Sequence, residues 1–321
     1  MGPDAPVRGM SEASTSPERD RRGRREADAE ELLACDDCMS PADAFSVVAS
    51  ETRLSILEAL WRSEETPVRF SDLRREVGMR DSAQFNYHLG KLTDQFVVRT
   101  DEGYDLRHAG KAVVRAVLAG TFNESPDVEP FGVGDPCVDC GAELRASYAD
   151  ETFAVACPDC GKPHGKYAFP PGGLNDRDET ELLRAFDQRV RHLHCLAADG
   201  VCPECNGRMT TNIVEADEPE DAPLGLSVHV EHVCAQCRHR LRSSVGLSLL
   251  DQSDVVSFYR ERGVDLSATP YWTLPWCVSD EYVEVLDRDP WALRVAIPES
   301  DETLTVTLGP DLGIREAERE A

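Results

Sequence analysis

Eight cysteines of the 321-residue chain have the spacing of metal ligands. The first set is Cys137, Cys140, Cys157 and Cys160, and the second set is Cys202, Cys205, Cys234 and Cys237. Each set joins two Cys-x-x-Cys pairs, and two such pairs offer four thiolates to one ion. Four sulfur ligands favour tetrahedral zinc in a closed site, which leaves no position for a reactive water. The sequence therefore predicts two structural Zn²⁺ ions per chain and no catalytic residues.

Other interpretations of the cysteines stay open at this point. Disulfides suit the same spacing, although a reducing cytoplasm disfavours them, and iron–sulfur clusters use the same thiolates. The two sets could also exchange ligands in a cross-brace.

A lone pair, Cys35 and Cys38, suits a redox switch or half of a third metal site, whereas Cys195 and Cys277 are expected to be small buried side chains. Three histidines near the sets are expected at the surface or behind the ligands: His164, His232 and His239.

The elements that position the cysteines can be read from the segments around them. The first set has the motifs CVDCG and CPDCG, whose glycines permit tight turns, and the sixteen residues between them suit a β-hairpin. The second set spans twenty-eight residues, with the strand-like runs RMTTNIVE and LSVHVEHV on either side of an acidic loop. These patterns predict two zinc-ribbon-like units separated by an amphipathic helix.

The stretch SAQFNYHLGKL, residues 82–92, has a different chemistry. Phe85, Leu89 and Leu92 recur at helical spacing and should face a core, so Gln84 and Asn86 should face outward. Gln and Asn side chains can pair with adenine in a major groove. The surrounding pattern is several helices, a hairpin in FVVRTDEGYDL and a further helix, which is typical of a winged helix-turn-helix. In its first helices the expected inward side chains are Phe45, Val48, Leu54, Leu57 and Trp61.

Two segments carry a family resemblance. ASETRLSILEALW and SAQFNYHLGKLTDQFVV resemble the second helix and the recognition helix of ArsR-like winged-helix regulators, over about a quarter of the chain. QFNYHL is especially similar to regulators of halophilic archaea that carry a C-terminal zinc-binding region. The helix SDLRREV, however, lacks the cysteines of the metal-sensing members, so a metal-sensing role there is not supported.

The resemblance implies double-stranded DNA and a second copy of the chain as partners. The expected DNA-binding residues are Arg80, Ser82, Gln84, Asn86, Tyr87, Lys91, Arg99 and Arg107. Gln84 and Asn86 would contact bases, while the basic side chains would contact backbone phosphates. A homodimer would form through the helices at 41–49 and 109–120, the second of which offers an apolar surface made of Val113, Val114, Val117 and Leu118.

The charge distribution supports a separate N-terminal module. The chain has 60 acidic and 34 basic residues, and only four of the basic residues are lysine. This composition is typical of proteins from extreme halophiles, although an acidic protein of a high-GC organism at ordinary salt would also fit. Residues 45–120 hold eleven basic and eleven acidic residues, so the net charge of −26 lies outside them. The run RDRRGRR at 19–25 is not followed by an apolar stretch, and we expect a cytoplasmic protein without membrane contact.

Together these patterns predict a multidomain α+β fold. The expected segments are a disordered tail at 1–39, a winged helix-turn-helix at 40–122, a linker at 123–136, a first zinc ribbon at 137–175, a helix at 176–200, a second zinc ribbon at 201–245 and an α+β segment at 246–315. The favoured function is sequence-specific regulation of transcription, with an unidentified effector or protein partner. The alternatives are a non-enzymatic interaction adaptor and, less favoured, a thiol redox protein that uses Cys35 and Cys38. An effector near Trp272 and Trp276 is one interpretation of the segment YWTLPWC, and core packing is the preferred one.

Overall fold

The structure is a computed structural model that describes residues 39–216 and 225–320. It divides into two compact units, one ending at Val114 and the other beginning at Arg115. Cys35 and Cys38 lie outside the described residues. None of the helices in the described ranges is both long and apolar enough to span a membrane. The architecture is mixed α+β, as predicted.

From residue 39, where the described part of the N-terminal unit starts, the first four helices are α1 (Pro41–Val48), α2 (Glu51–Arg62), α3 (Phe70–Glu76) and α4 (Ser82–Leu92). Capping sets two of their starts. The Ser40 hydroxyl accepts a hydrogen bond from the Asp43 amide, and the Asp81 carboxylate accepts from the amides of Ala83 and Gln84 at 2.8 and 3.1 Å. Gly78, with a φ of 74°, lies in the turn that separates α3 from α4.

A two-stranded hairpin and a fifth helix complete this part of the chain. Strand β1 (Val97–Arg99) pairs antiparallel with β2 (Tyr104–Leu106), and Val68 bridges to Tyr104 on the other side. Helix α5 (His108–Leu118) follows. The core of the unit includes Phe85, Leu89 and Leu92, which confirms the inward face predicted for α4.

The prediction for the first two helices was partly wrong. Leu57 is buried, but Phe45 is 71% exposed and Trp61 is 37% exposed. Val48 packs against the core as expected, and Ala44 and Val47 do so in place of Phe45, so the inner face of α1 is offset from the one expected. An eight-residue helix makes only two turns, and its apolar positions do not determine which side meets the core.

The C-terminal unit contains three antiparallel sheets. The first is formed by β3 (Val128–Pro136), β4 (Glu143–Ala149), β5 (Thr152–Ala156) and β6 (Pro163–Ala168), in that order. The second is formed by β7 (Met209–Glu215), β8 (Val228–Cys234) and β9 (Arg240–Ser243), and the third by β10 (Val283–Arg288), β11 (Trp291–Glu299), β12 (Glu302–Leu308) and β13 (Ile314–Glu320). The segment 123–136, expected to be a linker, therefore supplies a nine-residue strand.

Three helices pack with these sheets: α6 (Glu179–Ala198), α7 (Ser253–Glu261) and α8 (Pro275–Val278). Helix α6 has a capping box, in which Asp178 accepts from the Glu181 amide and the Glu181 carboxylate accepts from the Asp178 amide. The α+β segment expected at 246–315 opens with a short 3₁₀ turn, Gly246–Leu249, and the extended backbone at Gln252 separates that turn from α7.

One large core joins the first and third sheets to α6 and includes Ile213, Val228 and Val230 of the second sheet. The ring centroids of Phe153 and Phe186 are 4.6 Å apart, and Phe186 stacks on Trp272 at 6.2 Å. Trp276 is also buried and donates its indole N–H to the Tyr259 hydroxyl at 2.8 Å. Both tryptophans therefore serve core packing, which was the preferred interpretation of that segment. The members of this cluster lie between Phe131 and Leu312 in the sequence.

Candidate metal centres and candidate nucleic-acid interface

The two cysteine sets form two separate clusters, each built from one set. We call the cluster of Cys137, Cys140, Cys157 and Cys160 centre 1, and that of Cys202, Cys205, Cys234 and Cys237 centre 2. Within each centre all four sulfur atoms lie within 4.8 Å of one another. No ligand is exchanged between the sets, so the structure does not contain a cross-brace.

The sulfur separations suit a single bound ion. In centre 1 the Cys137–Cys160 and Cys140–Cys157 distances are 3.7 and 3.4 Å, and the corresponding pairs of centre 2 are both 3.6 Å apart. Tetrahedral zinc–sulfur bonds of about 2.3 Å place two sulfurs about 3.8 Å apart. A disulfide would require about 2.05 Å. Both centres are therefore compatible with a metal ion, and the cysteines of the described residues are free thiols.

The same tight turn places each pair of cysteines in centre 1. The amides of Gly141 and Gly161 donate to the carbonyls of Cys137 and Cys157 at 2.9 and 3.1 Å. Both glycines have a φ of 77°, in the left-handed region that glycine adopts without strain. The turn reverses the chain within a few residues, so both sulfurs of a pair point to one place.

Centre 2 makes the same turn without glycine at that position. Asn206 and Arg238 occupy it with φ values of 58° and 64°, and their amides donate to the carbonyls of Cys202 and Cys234 at 2.9 and 3.2 Å. Asn tolerates the left-handed region, whereas a long side chain such as Arg is strained there. Glycines were expected at the turns of centre 1, but the equivalent role of Asn206 and Arg238 in centre 2 was not predicted.

Backbone amides stabilise thiolates in both centres. The Cys160 amide lies 3.5 Å from the Cys157 sulfur, and this hydrogen bond lowers the pKa of Cys157 to about 7. In centre 2 the Cys237 amide lies 3.4 Å from the Cys234 sulfur and lowers the pKa of Cys234 to about 6. A thiolate is the form that binds metal, so one ligand of each centre is prepared for binding near neutral pH.

Of the three histidines expected near the ligands, His164 is the one that touches a cysteine. It is buried, its Nε2 lies 3.4 Å from the Cys137 sulfur, and its Nδ1 lies 3.2 Å from the Trp272 carbonyl oxygen. Because a carbonyl only accepts, Nδ1 is the donor in that contact. His232 is fully buried rather than at the surface and pairs with the Thr211 hydroxyl at 2.9 Å. His239 is partly buried.

A further histidine, which no local pattern predicted, lies between the sheets that carry the two centres. His194, on α6, is buried, and its Nε2 lies 3.1 Å from the Tyr167 hydroxyl on β6. Its ring centroid is 5.9 Å from that of His232 on β8. Burial lowers the pKa of His194 to about 3, so the ring is neutral at ordinary pH. Of the two other cysteines, Cys277 is buried as expected, whereas Cys195 is only partly buried.

The eight residues expected to contact DNA are all exposed in the N-terminal unit. On α4 the polar positions Ser82, Gln84 and Asn86 face outward, and Tyr87 is 59% exposed, with the Lys91 ammonium 5.6 Å from its ring centroid. Helix α4 exposes no Leu, Phe or Met, because Phe85, Leu89 and Leu92 are buried.

Comparison with known proteins identifies two families by description. Residues 41–117 match "Domain of unknown function (DUF7347)", and residues 134–314 match "Domain of unknown function (DUF7351)". No curated protein and no solved structure matched the chain. The second match spans more than half of the chain and contains both cysteine centres. The chain therefore belongs to the family described as DUF7351.

Proposed function

We propose that the protein is a non-enzymatic, sequence-specific regulator of transcription, similar to the ArsR-like regulators. Its residues 40–122 would bind double-stranded DNA as a winged helix-turn-helix, with α4 in the major groove and the β1–β2 hairpin as the wing. The observation that carries this proposal is the division of α4 into a buried apolar face and an exposed face that bears Gln84 and Asn86. These amides can each form two hydrogen bonds with adenine.

Charge gives independent support for this assignment. The segment that contains α4 is neutral in a chain with a net charge of −26, so it avoids the general repulsion from phosphate. Exposed Arg80 precedes the helix, exposed Lys91 lies in its last turn, and exposed Arg99 ends strand β1. An adaptor helix would instead be expected to expose large apolar side chains to its partner.

We further propose that each cysteine centre holds one structural zinc ion. The sulfur separations of 3.4–3.7 Å support this assignment, because they approach those of a tetrahedral four-thiolate site. All four positions are filled by sulfur, so the ion would stabilise the fold rather than bind a substrate. His164 would lie directly behind Cys137, with its Nε2 3.4 Å from that ligand's sulfur.

Selection of duplexes from a random DNA library by the full-length protein tests the DNA proposal. We expect a defined site, at which Asn86→Ala costs about 1–3 kcal/mol and relaxes preference at one base position. Arg99→Ala should weaken binding to all sequences alike. A matched control is Arg62→Gln, which removes a positive charge from α2. If no sequence is enriched, or if Gln84→Ala and Asn86→Ala together leave the selected site and affinity unchanged, the adaptor function replaces this one.

The regulator is also proposed to be a homodimer. In the N-terminal unit Phe45 is 71% exposed, and near the start of the C-terminal unit Leu118 is 56% exposed. Val114 belongs to the N-terminal core, so the apolar surface predicted for the last helix is smaller than expected. Light scattering should report a dimer that Phe45→Glu or Leu118→Glu converts to monomer. A monomer at micromolar concentration before any substitution would contradict the proposal.

A further inference from the structure

The C-terminal unit contains a cavity of about 420 Å³ between β6, α6 and β9. Its wall includes Lys166 from β6, Arg189 from α6, and Arg240 and Arg242 from β9. His239, which follows the last cysteine of centre 2, lies beside them. We call this space the basic cavity. Its volume falls within the range of small-molecule sites, about 300–1,000 Å³.

The charge of this wall is opposite to that of the protein. The chain has 60 acidic and 34 basic residues, yet Glu204 is the one carboxylate among the described residues that line the basic cavity. Arg240 and Arg242 share a single carboxylate outside it, Glu231, at 3.3 and 2.8 Å. One negative charge therefore opposes two guanidinium groups. Lys166 is exposed and forms no ion pair with any residue in the described ranges.

Hydrogen bonding holds one polar group of the cavity wall in place and leaves another without a partner among the described residues. The Arg189 Nε donates to the Ala168 carbonyl at 2.9 Å, which holds that guanidinium at the wall. His239 Nε2 is buried and has no hydrogen-bond partner among residues 39–216 and 225–320. An unsatisfied buried polar atom is costly unless another group satisfies it. Buried Tyr167 and Leu241 provide apolar surface beneath these polar groups.

We propose that the basic cavity binds a small molecule carrying at least two oxyanion groups, either phosphates or carboxylates. Guanidinium groups bind both kinds of oxyanion with paired hydrogen bonds. The concave shape and limited volume favour a small molecule over a DNA backbone, which would need an extended surface. The ligand would contact residues beside centre 2, where Glu204 and His239 lie next to Cys205 and within two residues of Cys237. This inference does not depend on DNA binding by the N-terminal unit.

Calorimetric titration of the full-length, metal-loaded protein at constant ionic strength tests the inference. The probes are inorganic pyrophosphate, citrate and inorganic phosphate, so that two phosphates, several carboxylates and a single phosphate are compared. We expect saturable binding of pyrophosphate or citrate, and weaker binding of phosphate. Arg189→Gln and Lys166→Gln should each weaken binding about tenfold, the effect of losing one charged hydrogen bond.

The matched control is Arg294→Gln, which removes an exposed arginine of β11 that pairs with Glu284. It should leave the affinity unchanged, and metal content and thermal unfolding should confirm that every variant is folded. Lys166 is exposed, so its substitution tests the cavity without disturbing the core. The proposal is overturned if none of the three anions binds, or if Arg294→Gln weakens binding as much as the cavity variants. It is also overturned if duplex DNA alone binds in a manner that requires Arg189.

Discussion

Centre 1 and centre 2 present the same four sulfur atoms in very different surroundings. Cys137 and Cys157 belong to the large core that joins the first and third sheets to α6 and to part of the second sheet. Cys202 and Cys234 belong to a small cluster whose other buried members are Ala197, Met209 and Leu241. The ligand geometry is therefore alike, but the amount of structure that depends on each centre is not.

The turns of the two centres differ in a second way. Centre 1 places glycine at both left-handed positions, whereas centre 2 places Asn206 and Arg238 there. Centre 2 thus maintains its geometry against backbone strain and with a smaller core. The same four-cysteine geometry is thus packed into a large core in centre 1 and into a small cluster in centre 2.

The largest effect is expected when one cysteine ligand is removed from each centre. We expect wild-type protein to contain two zinc ions, and Cys157→Ala and Cys234→Ala to contain one each, because structural zinc contributes on the order of 10 kcal/mol that is also folding energy. Hydrogen exchange should increase across β3–β6 and α6 in Cys157→Ala, but only across β7–β9 in Cys234→Ala. Neither change should reach α4.

The control for the ligand variants is Cys195→Ala, which removes a partly buried thiol outside both centres. It should retain two zinc ions and the exchange pattern of the wild type. Iron in place of zinc would contradict the metal assignment. Equal and local exchange changes in the two ligand variants would contradict the difference in surroundings.

A smaller effect is expected at the left-handed turn positions. A Cβ added at Gly141 or Gly161 would have no atom within 4 Å, so Gly141→Ala should destabilise the C-terminal unit by backbone strain alone, about 1–2 kcal/mol. Arg238→Gly should remove the same strain from centre 2 and stabilise the unit by about 1 kcal/mol. Denaturant unfolding of the metal-loaded protein measures both.

Gly90 is a control for which the opposite sign is expected. It lies in α4 with a helical backbone, and a Cβ added there would have open space around it. Gly90→Ala should stabilise the N-terminal unit by about 0.5–1 kcal/mol. If Arg238→Gly destabilised the C-terminal unit, the Arg238 side chain would have a stabilising role that outweighs the strain.

An effect of similar size, but dependent on pH, is expected at His194, which lies between the sheets of the two centres. Its pKa of about 3 in the folded state lies below the value of about 6.5 for an unfolded histidine, so the unfolded state binds more protons. The stability that depends on neutral His194 is therefore present above pH 6.5 and is lost as the pH falls below it. Between pH 7.0 and 5.8 this loss should be about 1 kcal/mol.

His194→Gln, which does not titrate, should lower stability at pH 7.0 but lose about 1 kcal/mol less than the wild type on acidification. His192→Gln, at an exposed position of the same helix, serves as the control and should follow the wild type. Denaturant unfolding of all three proteins at both pH values gives the comparison. If the free energy of unfolding depended on pH identically in wild type and His194→Gln, protonation of this histidine would not contribute to the loss of stability in acid.

Local sequence determined several features because the interacting groups are close in the chain or repeat with a regular period. The spacing within each Cys-x-x-Cys pair determined the turns. The 3.6-residue period of Phe85, Leu89 and Leu92 determined the buried face of α4. The alternating runs at 143–156 and 209–234 formed the strands β4, β5, β7 and β8.

Other features were decided by tertiary structure, because they depend on residues far apart in the chain. Phe45 faces outward, and the expected linker supplies β3, because packing of distant elements chooses the faces and edges that are used. The division of the cysteine surroundings into a large core and a small cluster also appears only in three dimensions. The same holds for His194, which lies on α6 and meets side chains of β6 and β8. It also holds for the basic cavity, whose side chains come from β6, α6 and β9. No local sequence pattern brings these elements together.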